Sequence, residues 1–224
     1  MLPSSTVENY LKALHQAETS RGNKALVPMG QLATAVGVAP GTATTMVKAL
    51  ADSGLVDYEP YVGVRLSSAG AKLAALVLRR HRLVEQFLVE VVGMSWAEVH
   101  EDAEQLEHVV SDRLIERMDA MLGHPAVDPH GDPIPTPDGN IAAPDYHSLL
   151  TCPLHVEVTV TRVTDQDASF LTFLEKQDLK PGQSLEVEAR DSAADSVQLR
   201  TGTGDQVTIG TRAASKVLIE VSEA

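Results

Sequence analysis

A proline-rich segment separates two parts of this sequence that have different hydrophobic patterns. Residues 123–147 contain six prolines and three glycines, which interrupt helices and strands and therefore predict an irregular connector. Before this segment, apolar residues recur every three or four positions, as they do in amphipathic helices. From residue 154 onward, apolar and polar residues alternate, as in half-buried strands. The pattern predicts a mainly α chain with a β C-terminal part, in which short strands form a small barrel.

The first 67 residues have the pattern of a winged helix-turn-helix. Four elements are predicted in this order: helices over 5–19, 29–36 and 39–54, and a β hairpin, or wing, over 55–67. Ser5 or Thr6 is the predicted N-cap of the first helix. In a helix-turn-helix, the N-terminal part of the second helix enters the major groove of DNA. The predicted DNA-binding residues are Pro40, Thr42, Thr44, Thr45, Lys48 and Arg65.

The distribution of charge supports DNA binding by this part of the chain. The net charge of the protein is −13, but residues 1–82 carry nine Lys and Arg against five Asp and Glu, a net charge of +4. The remainder carries −17. A basic N-terminal part can approach phosphate, whereas the acidic remainder weakens non-specific binding to DNA. Three helices that merely pack together remain the alternative interpretation.

The composition indicates a cytoplasmic protein. No apolar run approaches the roughly 20 residues of a membrane span, so no membrane partner is expected. The start, MLPSSTVENYL, has neither the basic nor the apolar region of a signal peptide. The single cysteine, Cys152, excludes an internal disulfide and is typical of a reducing compartment.

The stretch VHEDAEQLEHVVSDR, residues 99–113, concentrates side chains that bind metals. On a continuous helix its polar face would gather two imidazoles and two carboxylates, from His100, Glu104, Glu107 and His108. An apolar stripe is predicted beside that face, formed by Ala103, Leu106, Val110 and Leu114. A solvated acidic face is the alternative to a metal site.

Two further motifs could contribute metal ligands. His81 and Glu85 are four residues apart on a long helix predicted from Ser67 or Ser68 to about Val92, so they share a face and could chelate one ion. In the connector, Asp128-Pro-His130-Gly is either a metal-binding loop or a simple turn. No nucleophilic triad, phosphate-binding glycine loop or HExxH motif is present, so the chain is not expected to be an enzyme.

The combined motifs resemble the diphtheria-toxin-repressor family of metal-activated transcription factors over essentially the full length. The resemblance rests on ENYLKALH, VAPGTATTMVKALADSGLV, RRHRLVEQFL, VHEDAEQLEHVVSDRLIERMD and DPHGDPIP. It implies a winged-helix domain over 1–67, a helical metal-binding and dimerisation domain over 68–124, a connector over 125–150 and an SH3-like small β-barrel over 151–224. Members are cytoplasmic homodimers that, with Mn2+ or Fe2+ bound, occupy palindromic operators and usually repress metal-uptake genes.

The resemblance also implies two metal sites. The primary, activating site corresponds to Asn9, Glu104, Glu107 and His108. The ancillary site corresponds to His81, Glu85 and His100 in the iron-type branch. In the manganese-type branch with a C-terminal domain, Glu85 is joined by Asp128, His130 and Asp165. In short manganese regulators, His81 would instead join the main cluster.

Two departures from the family pattern bear on the metal. Iron-type members have a cysteine where this chain has Glu104, and oxygen and imidazole donors suit Mn2+. Manganese-type members tend to carry Asp where this chain has Asn9, whose amide oxygen has no charge. We therefore expect a manganese-dependent repressor. The alternatives are an iron-dependent repressor of the same family, a winged-helix regulator that senses a small molecule, and a metal-dependent enzyme.

Overall fold

The computed structural model describes residues 4–21, 26–142 and 144–221, and it divides the chain into two compact units. The first unit comprises Met1–His81 and Pro135–Ile141, and the second comprises Arg82–Ile134 and Ala142–Ala224. Residues 1–3 of the first predicted domain and residues 222–224 of the last lie outside the described residues. Within the described residues, no helix is both long and apolar enough to cross a bilayer.

The first unit is a three-helix domain with a two-stranded wing. Its elements are α1 (Ser5–Ser20), α2 (Met29–Ala35), α3 (Pro40–Asp52), β1 (Val56–Glu59), β2 (Gly63–Leu66) and the beginning of α4 (Ser68–Phe87). The prediction of Ser5 or Thr6 as the N-cap of the first helix was wrong. Ser4 has extended backbone angles, and its side chain accepts a hydrogen bond from the N–H of Val7, so it caps α1 instead.

Helical spacing explains the core of the first unit. Leu11 and Leu14 on α1, and Val47 and Leu50 on α3, are three residues apart and fully or almost fully buried. The wing joins this core through Val64, which exchanges two backbone hydrogen bonds with Val27. This packing leaves the opposite face of α3 exposed to solvent.

The second unit combines helices with a β-sheet. After α4 come a π-helical turn (Leu88–Val92), α5 (Val99–Leu106) and α6 (Asp112–Met121). The remaining elements are β3 (His147–Ser148), β4 (Glu157–Val163), α7 (Ala168–Lys176), β5 (Ser184–Asp191), β6 (Ser196–Thr201), β7 (Gln206–Gly210), α8 (Thr211–Ala214) and β8 (Val217–Val221). The six strands pair in the order β3-β8-β4-β5-β6-β7, all antiparallel, as expected for the SH3-like part. The short helix α8 has too few residues to show a helical period.

The prediction of one continuous helix over 99–113 was wrong. α5 ends at Leu106, a turn follows, and Ser111 starts α6 because its side chain accepts a hydrogen bond from the N–H of Leu114. The predicted apolar stripe is therefore broken. Ala103 is fully buried, but Leu106 is 36% exposed, Leu114 is 47% exposed and Val110 is only partly buried.

Candidate metal centre

The connector folds into a tight loop around Asp128. The Oδ1 atom of Asp128 accepts hydrogen bonds from the backbone N–H of His130 at 2.8 Å and of Asp132 at 2.9 Å. The N–H of Gly131 also donates to the carbonyl of Asp128 at 3.0 Å. An aspartate side chain bonded to the backbone that follows it stabilises a turn. The Asp-Pro-His-Gly motif is thus a turn, and the same turn orients the side chains of Asp128 and His130.

Three buried side chains meet beside this loop. Glu85 on α4, Asp128 and His130 each offer one ligand atom, and these atoms lie within 4.8 Å of one another. The Nδ1 atom of His130 is 3.7 Å from Oε2 of Glu85 and 4.0 Å from Oδ1 of Asp128. Two carboxylates and an imidazole around a common point are a ligand set for a divalent transition metal.

The hydrogen bonds of His130 direct a lone pair towards the carboxylates. Its Nε2 atom is 2.8 Å from the carbonyl oxygen of Trp96, so Nε2 carries the proton of the neutral ring and Nδ1 is an acceptor. Among the described residues, neither Nδ1 of His130 nor Oδ2 of Asp128 has a hydrogen-bond partner. Nε of Arg82 lies 3.7 Å from Oδ2 of Asp128, whereas Nδ1 of His130 has carboxylate oxygens around it, and buried acceptors placed together favour a proton or a cation between them. The residues present therefore fit a divalent metal ion.

The pKa values of the two loop residues show the same requirement for positive charge. The pKa of Asp128 is raised to about 7, first by burial and then by the charges of Asp132 and Glu85, against the lowering effect of His130 and Arg82. Burial lowers the pKa of His130, but the carboxylates of Glu85 and Asp128 outweigh it, and the net shift is upward. Without a metal, protons neutralise this cluster.

We expect Asp128 to make the metal-free protein less stable as the pH rises through about 7. The folded-state pKa lies above the ordinary value of 3.8, so the folded protein binds this proton more tightly than the unfolded chain does. The stabilisation is fully present below the ordinary pKa and is lost as the pH passes the folded-state value. A bound divalent cation should oppose this loss, because it binds the ionised carboxylate.

Thermal unfolding in chelator, between about pH 5 and about pH 8, measures this effect when wild type is compared with Asp128→Asn. The amide keeps the Oδ1 acceptor of the turn and removes the titration. The stability advantage of wild type over the variant should shrink as the pH rises. A difference that does not change with pH would show that Asp128 is not the titrating group.

Asp165, a predicted ligand, is held elsewhere in the structure. Its Oδ2 atom contacts the ammonium of Lys216, and its Oδ1 accepts a hydrogen bond from the N–H of Asp167 at 3.1 Å. The hydrogen bond from Lys216 is the largest cause that lowers the pKa of Asp165. Ligation by Asp165 stays a prediction, and it would require the exchange of the Lys216 contact for a metal.

The other predicted ligands of the second unit lie on or just after α5. Oε1 of Glu104 is 3.7 Å from Nε2 of His100, and Nδ1 of His100 is 3.0 Å from Oε1 of Glu85. Glu107 is fully buried in the turn after α5, and its Oε1 is 3.4 Å from Nε2 of His108. The structure thus pairs Glu104 with His100 and Glu107 with His108. The assignment of these residues to a primary site stays a prediction.

Two predicted ligands lie in the first unit. Asn9 is exposed on α1. His81 is buried, and its Nδ1 is 3.1 Å from the ammonium of Lys12, which is buried as well. Lys12 therefore donates to one of the two atoms through which His81 could bind a metal.

Asp132 is a further residue of the metal centre that its sequence motif does not identify. It donates its backbone N–H to Asp128, and its carboxylate lies close to the guanidinium groups of Arg82 and Arg162. The sequence signal is the spacing of Asp132 four residues after Asp128. That spacing can indicate the contact with Asp128, but it says nothing about the contact with Arg162, which is distant along the chain.

The predicted DNA-binding residues lie on α3 and on the wing. Pro40, Thr42, Thr45 and Lys48 are exposed, and Thr44 is partly buried. The hydroxyls of Thr44 and Thr45 donate to backbone carbonyls one turn earlier, at 2.8 and 3.1 Å. Their oxygen lone pairs can still accept hydrogen bonds, so both threonines can contact base edges. Contact with DNA stays a prediction for these residues.

The wing presents one predicted and one additional candidate for contact with DNA. Arg65 is exposed and pairs across the hairpin with Asp57 at 3.0 Å. Tyr61 lies at the tip of the wing, is fully exposed and has a positive φ of 65°. A positive φ is uncommon for a residue other than glycine, and the exposed ring can approach a DNA groove. A tyrosine within EPYVG had no sequence signal that separated it from an ordinary turn residue.

Comparison with protein-family models matches three regions of the chain. Residues 3–64 match the N-terminal DNA-binding domain of iron-dependent repressors, and residues 67–136 match the metal-binding and dimerisation domain of the same proteins. Residues 147–221 match the FeoA domain. Together these regions cover most of the chain, in the order that the resemblance predicted.

Known proteins and solved structures are similar to the chain over the same regions. The iron-dependent repressor IdeR of Mycobacterium leprae is 28% identical over an alignment 228 positions long, which covers 96% of each protein. The regulator MntR of Oceanobacillus iheyensis is 30% identical over 55% of this chain and 81% of its own length. A manganese-dependent transcriptional repressor in complex with manganese is 36% identical, with a TM-score of 0.85, over 96% of this chain and 100% of its own. The predicted family and fold class are confirmed, and the chain belongs to the diphtheria-toxin-repressor family of metal-dependent transcriptional regulators.

Proposed function

We propose that this chain is a manganese-dependent repressor of metal-uptake genes that binds a palindromic operator as a cytoplasmic homodimer and has no enzymatic activity. The observation that carries the choice of metal is the donor set of the buried centre. Glu85, Asp128 and His130 supply oxygen and imidazole nitrogen. Cys152 lies in the core of the β part, where Arg190 donates to its sulfur. A site of carboxylates and imidazole without a thiolate suits Mn2+.

The relatives support both metals, with more weight on manganese. The solved structure that is 36% identical is a manganese-dependent repressor in complex with manganese. The full-length relative from Mycobacterium leprae is an iron-dependent repressor, at 28% identity. An iron-dependent repressor is therefore the second candidate function.

The proposed mechanism is a linkage between metal binding and DNA binding. We assign the activating metal to Asn9, Glu104, Glu107 and His108, and a second metal to the buried centre. A metal that binds more tightly to the operator-competent dimer shifts the population towards it, and DNA in turn tightens metal binding by the same factor. Two recognition helices about 34 Å apart would then read successive major grooves.

Fluorescence anisotropy with labelled DNA tests the function directly, and the DNA carries the promoter of the gene that encodes this protein. The protein is titrated in chelator and then with Mn2+, anaerobic Fe2+ or Zn2+, at one fixed salt concentration. Tight binding with Mn2+ alone supports the proposal. Equal or better activation by Fe2+ supports the iron-dependent alternative. Equal binding in chelator removes the metal switch altogether.

Exposed apolar side chains indicate where the homodimer forms. Several large ones lie along the helical part of the second unit: Val91, Val92, Leu106, Val109, Leu114 and Met121. Exposed large apolar side chains are a feature of surfaces that bind another protein chain, and these six all lie within residues 91–121. We assign this surface to self-association.

Val109→Asp should convert the dimer to a monomer. Val109 is 75% exposed, so the substitution costs the monomer little, whereas a carboxylate within an apolar interface loses its hydration. We expect self-association to weaken by at least about 100-fold, measured by sedimentation velocity over a concentration series. Leu154→Asp introduces the same charge at an exposed leucine of the C-terminal part and serves as the control. A Val109→Asp protein that remains dimeric would place the interface on another surface.

A further inference from the structure

We propose that β4 of the C-terminal sheet controls metal binding at the buried centre, and that Arg162 on β4 acts as a positioning residue for the ligand Asp128. The inference rests on the proposed function, in that Glu85, Asp128 and His130 bind Mn2+. It adds a role for the SH3-like part, which supplies none of these three ligands.

The contact that carries the proposal is an ion pair between the sheet and the connector loop. Nη2 of Arg162 is 2.5 Å from Oδ1 of Asp132, whose side chain is only 9% exposed. The other carboxylate oxygen of Asp132 accepts a hydrogen bond from Nε2 of Gln166 at 2.9 Å. Nη2 of Arg82 on α4 lies 3.8 Å from Asp132. Asp132 is thereby held from both α4 and the β4 region.

Asp132 in turn fixes the carboxylate of Asp128. Its N–H donates to Oδ1 of Asp128 at 2.9 Å, and its carbonyl accepts from the N–H of Asp128 at 3.0 Å. The bond to Oδ1, together with the one from the N–H of His130, fixes the orientation of the Asp128 carboxylate. Its Oδ2 atom lies 3.7 Å from Nε of Arg82 and, within the described residues, accepts no hydrogen bond. Arg162 therefore acts on the ligand through one intermediate residue.

The backbone of β4 supports the same loop independently of Arg162. The N–H of Val163 donates to the carbonyl of His130 at 2.8 Å. Gly131, at a positive φ of 84°, packs so closely that a Cβ atom there would lie 1.9 Å from the carbonyl oxygen of Thr161. The pairing of β4 with β8 is irregular between Val160 and Arg162, and a β-bulge at that point redirects the side chains around it. The irregular part of β4 is therefore the part that contacts the metal-binding loop.

The geometry has a thermodynamic consequence. If the loop holds its ligands in place only when β4 is docked, then docking raises the affinity for metal. By reciprocity, the metal stabilises the docked sheet by the same factor. Loss of a residue that orients a metal ligand weakens metal binding by about 10–100-fold.

Mn2+ binding to the full-length protein, followed by the EPR signal of free Mn2+, tests this inference. Arg162→Ala should weaken the binding of one equivalent of Mn2+ by about 10-fold or more, and Arg162→Lys should weaken it less because it keeps the charge. Arg200→Ala is the matched control, since Arg200 is about half exposed and pairs with Glu188 on the same sheet, away from the connector loop's ligands. An Arg162→Ala isotherm identical to that of wild type would overturn the proposal.

Hydrogen exchange on the wild-type protein provides a test that does not depend on the folding of a variant. Mn2+ should slow amide exchange in residues 157–163 and 128–134 relative to chelator. Equal exchange in both conditions would overturn the linkage between metal binding and the sheet.

The two experiments separate this proposal from the proposed function. If Mn2+ activates operator binding while Arg162→Ala binds Mn2+ normally, the positioning role fails and the repressor function stands. If Arg162→Ala weakens Mn2+ binding but Mn2+ does not activate operator binding, the positioning role stands and the repressor function fails. A wild-type protein that binds no Mn2+ overturns both.

Discussion

Replacing Glu104 by alanine should abolish the activation of operator binding by Mn2+ and leave the protein folded. Glu104 is a half-exposed residue on α5, and alanine has the best helix propensity, so we expect the helix to be kept. Its carboxylate is assigned to the activating site, and removal of a charged ligand leaves too few donors for tight binding. We expect operator affinity in saturating Mn2+ to fall by at least about 100-fold, or ~3 kcal/mol, towards its value in chelator.

The control for this substitution lies on the same helix. Glu101→Ala also removes a carboxylate from α5, but Glu101 is exposed and is not an assigned ligand. Both variants should keep the helical circular dichroism and the unfolding temperature of wild type in chelator, and only Glu101→Ala should respond to Mn2+. If operator binding by Glu104→Ala stays metal-responsive, the assignment of the primary site is wrong.

Glu85→Gln should have opposite effects on the metal-free and metal-bound protein. Glu85 is fully buried, and its charge is one of the causes, after burial and Asp132, that raise the pKa of Asp128. The amide has the same shape and can still accept the hydrogen bond from His100. In chelator above about pH 7, loss of one of several neighbouring buried negative charges should raise the unfolding temperature.

In Mn2+ the same change should be harmful. The buried centre would keep Asp128 and His130 but lose a charged oxygen ligand, so we expect the affinity for one equivalent of Mn2+ to fall by about 100-fold. Calorimetric unfolding in chelator and in Mn2+ measures both effects on one sample. Glu98→Gln, the same change at an exposed position, should alter neither value. A Glu85→Gln protein that is destabilised in chelator as well would mean that Glu85 stabilises the fold and that its effect on Mn2+ is indirect.

Local patterns predicted most of the fold. Helical periodicity placed the first three helices within two residues of their observed ends, because the buried faces of α1 and α3 follow the spacing of apolar residues. Alternation after residue 154 predicted the strands of the C-terminal part for the equivalent reason. The break after Leu106 was missed, although Ser111 and Asp112 form an N-cap and an acidic first turn. The prediction followed instead the helical spacing of His100, Glu104, Glu107 and His108, which continues past the end of α5.

The metal centre was predictable in part. Asp128 and His130 are two residues apart and share one turn, so their proximity is local, and Glu85 joined them through the family resemblance. Trp96, Asp132 and Arg162 were not predicted. Their roles depend on a backbone carbonyl, a loop hydrogen bond and a strand that are distant from one another in the sequence.

By itself, the sequence determined the types and order of the elements, the positive charge of the DNA-binding part and the oxygen and nitrogen donors available to a metal. These properties follow from side-chain chemistry and from spacings within one helix, strand or turn. Only the tertiary structure decided that Asp165 contacts Lys216, that His100 contacts Glu85 and that Arg162 holds Asp132 beside the ligands. Several oppositely charged groups in the sequence could pair with each of these side chains. The packing of the helices and strands determines which of them lies within contact distance.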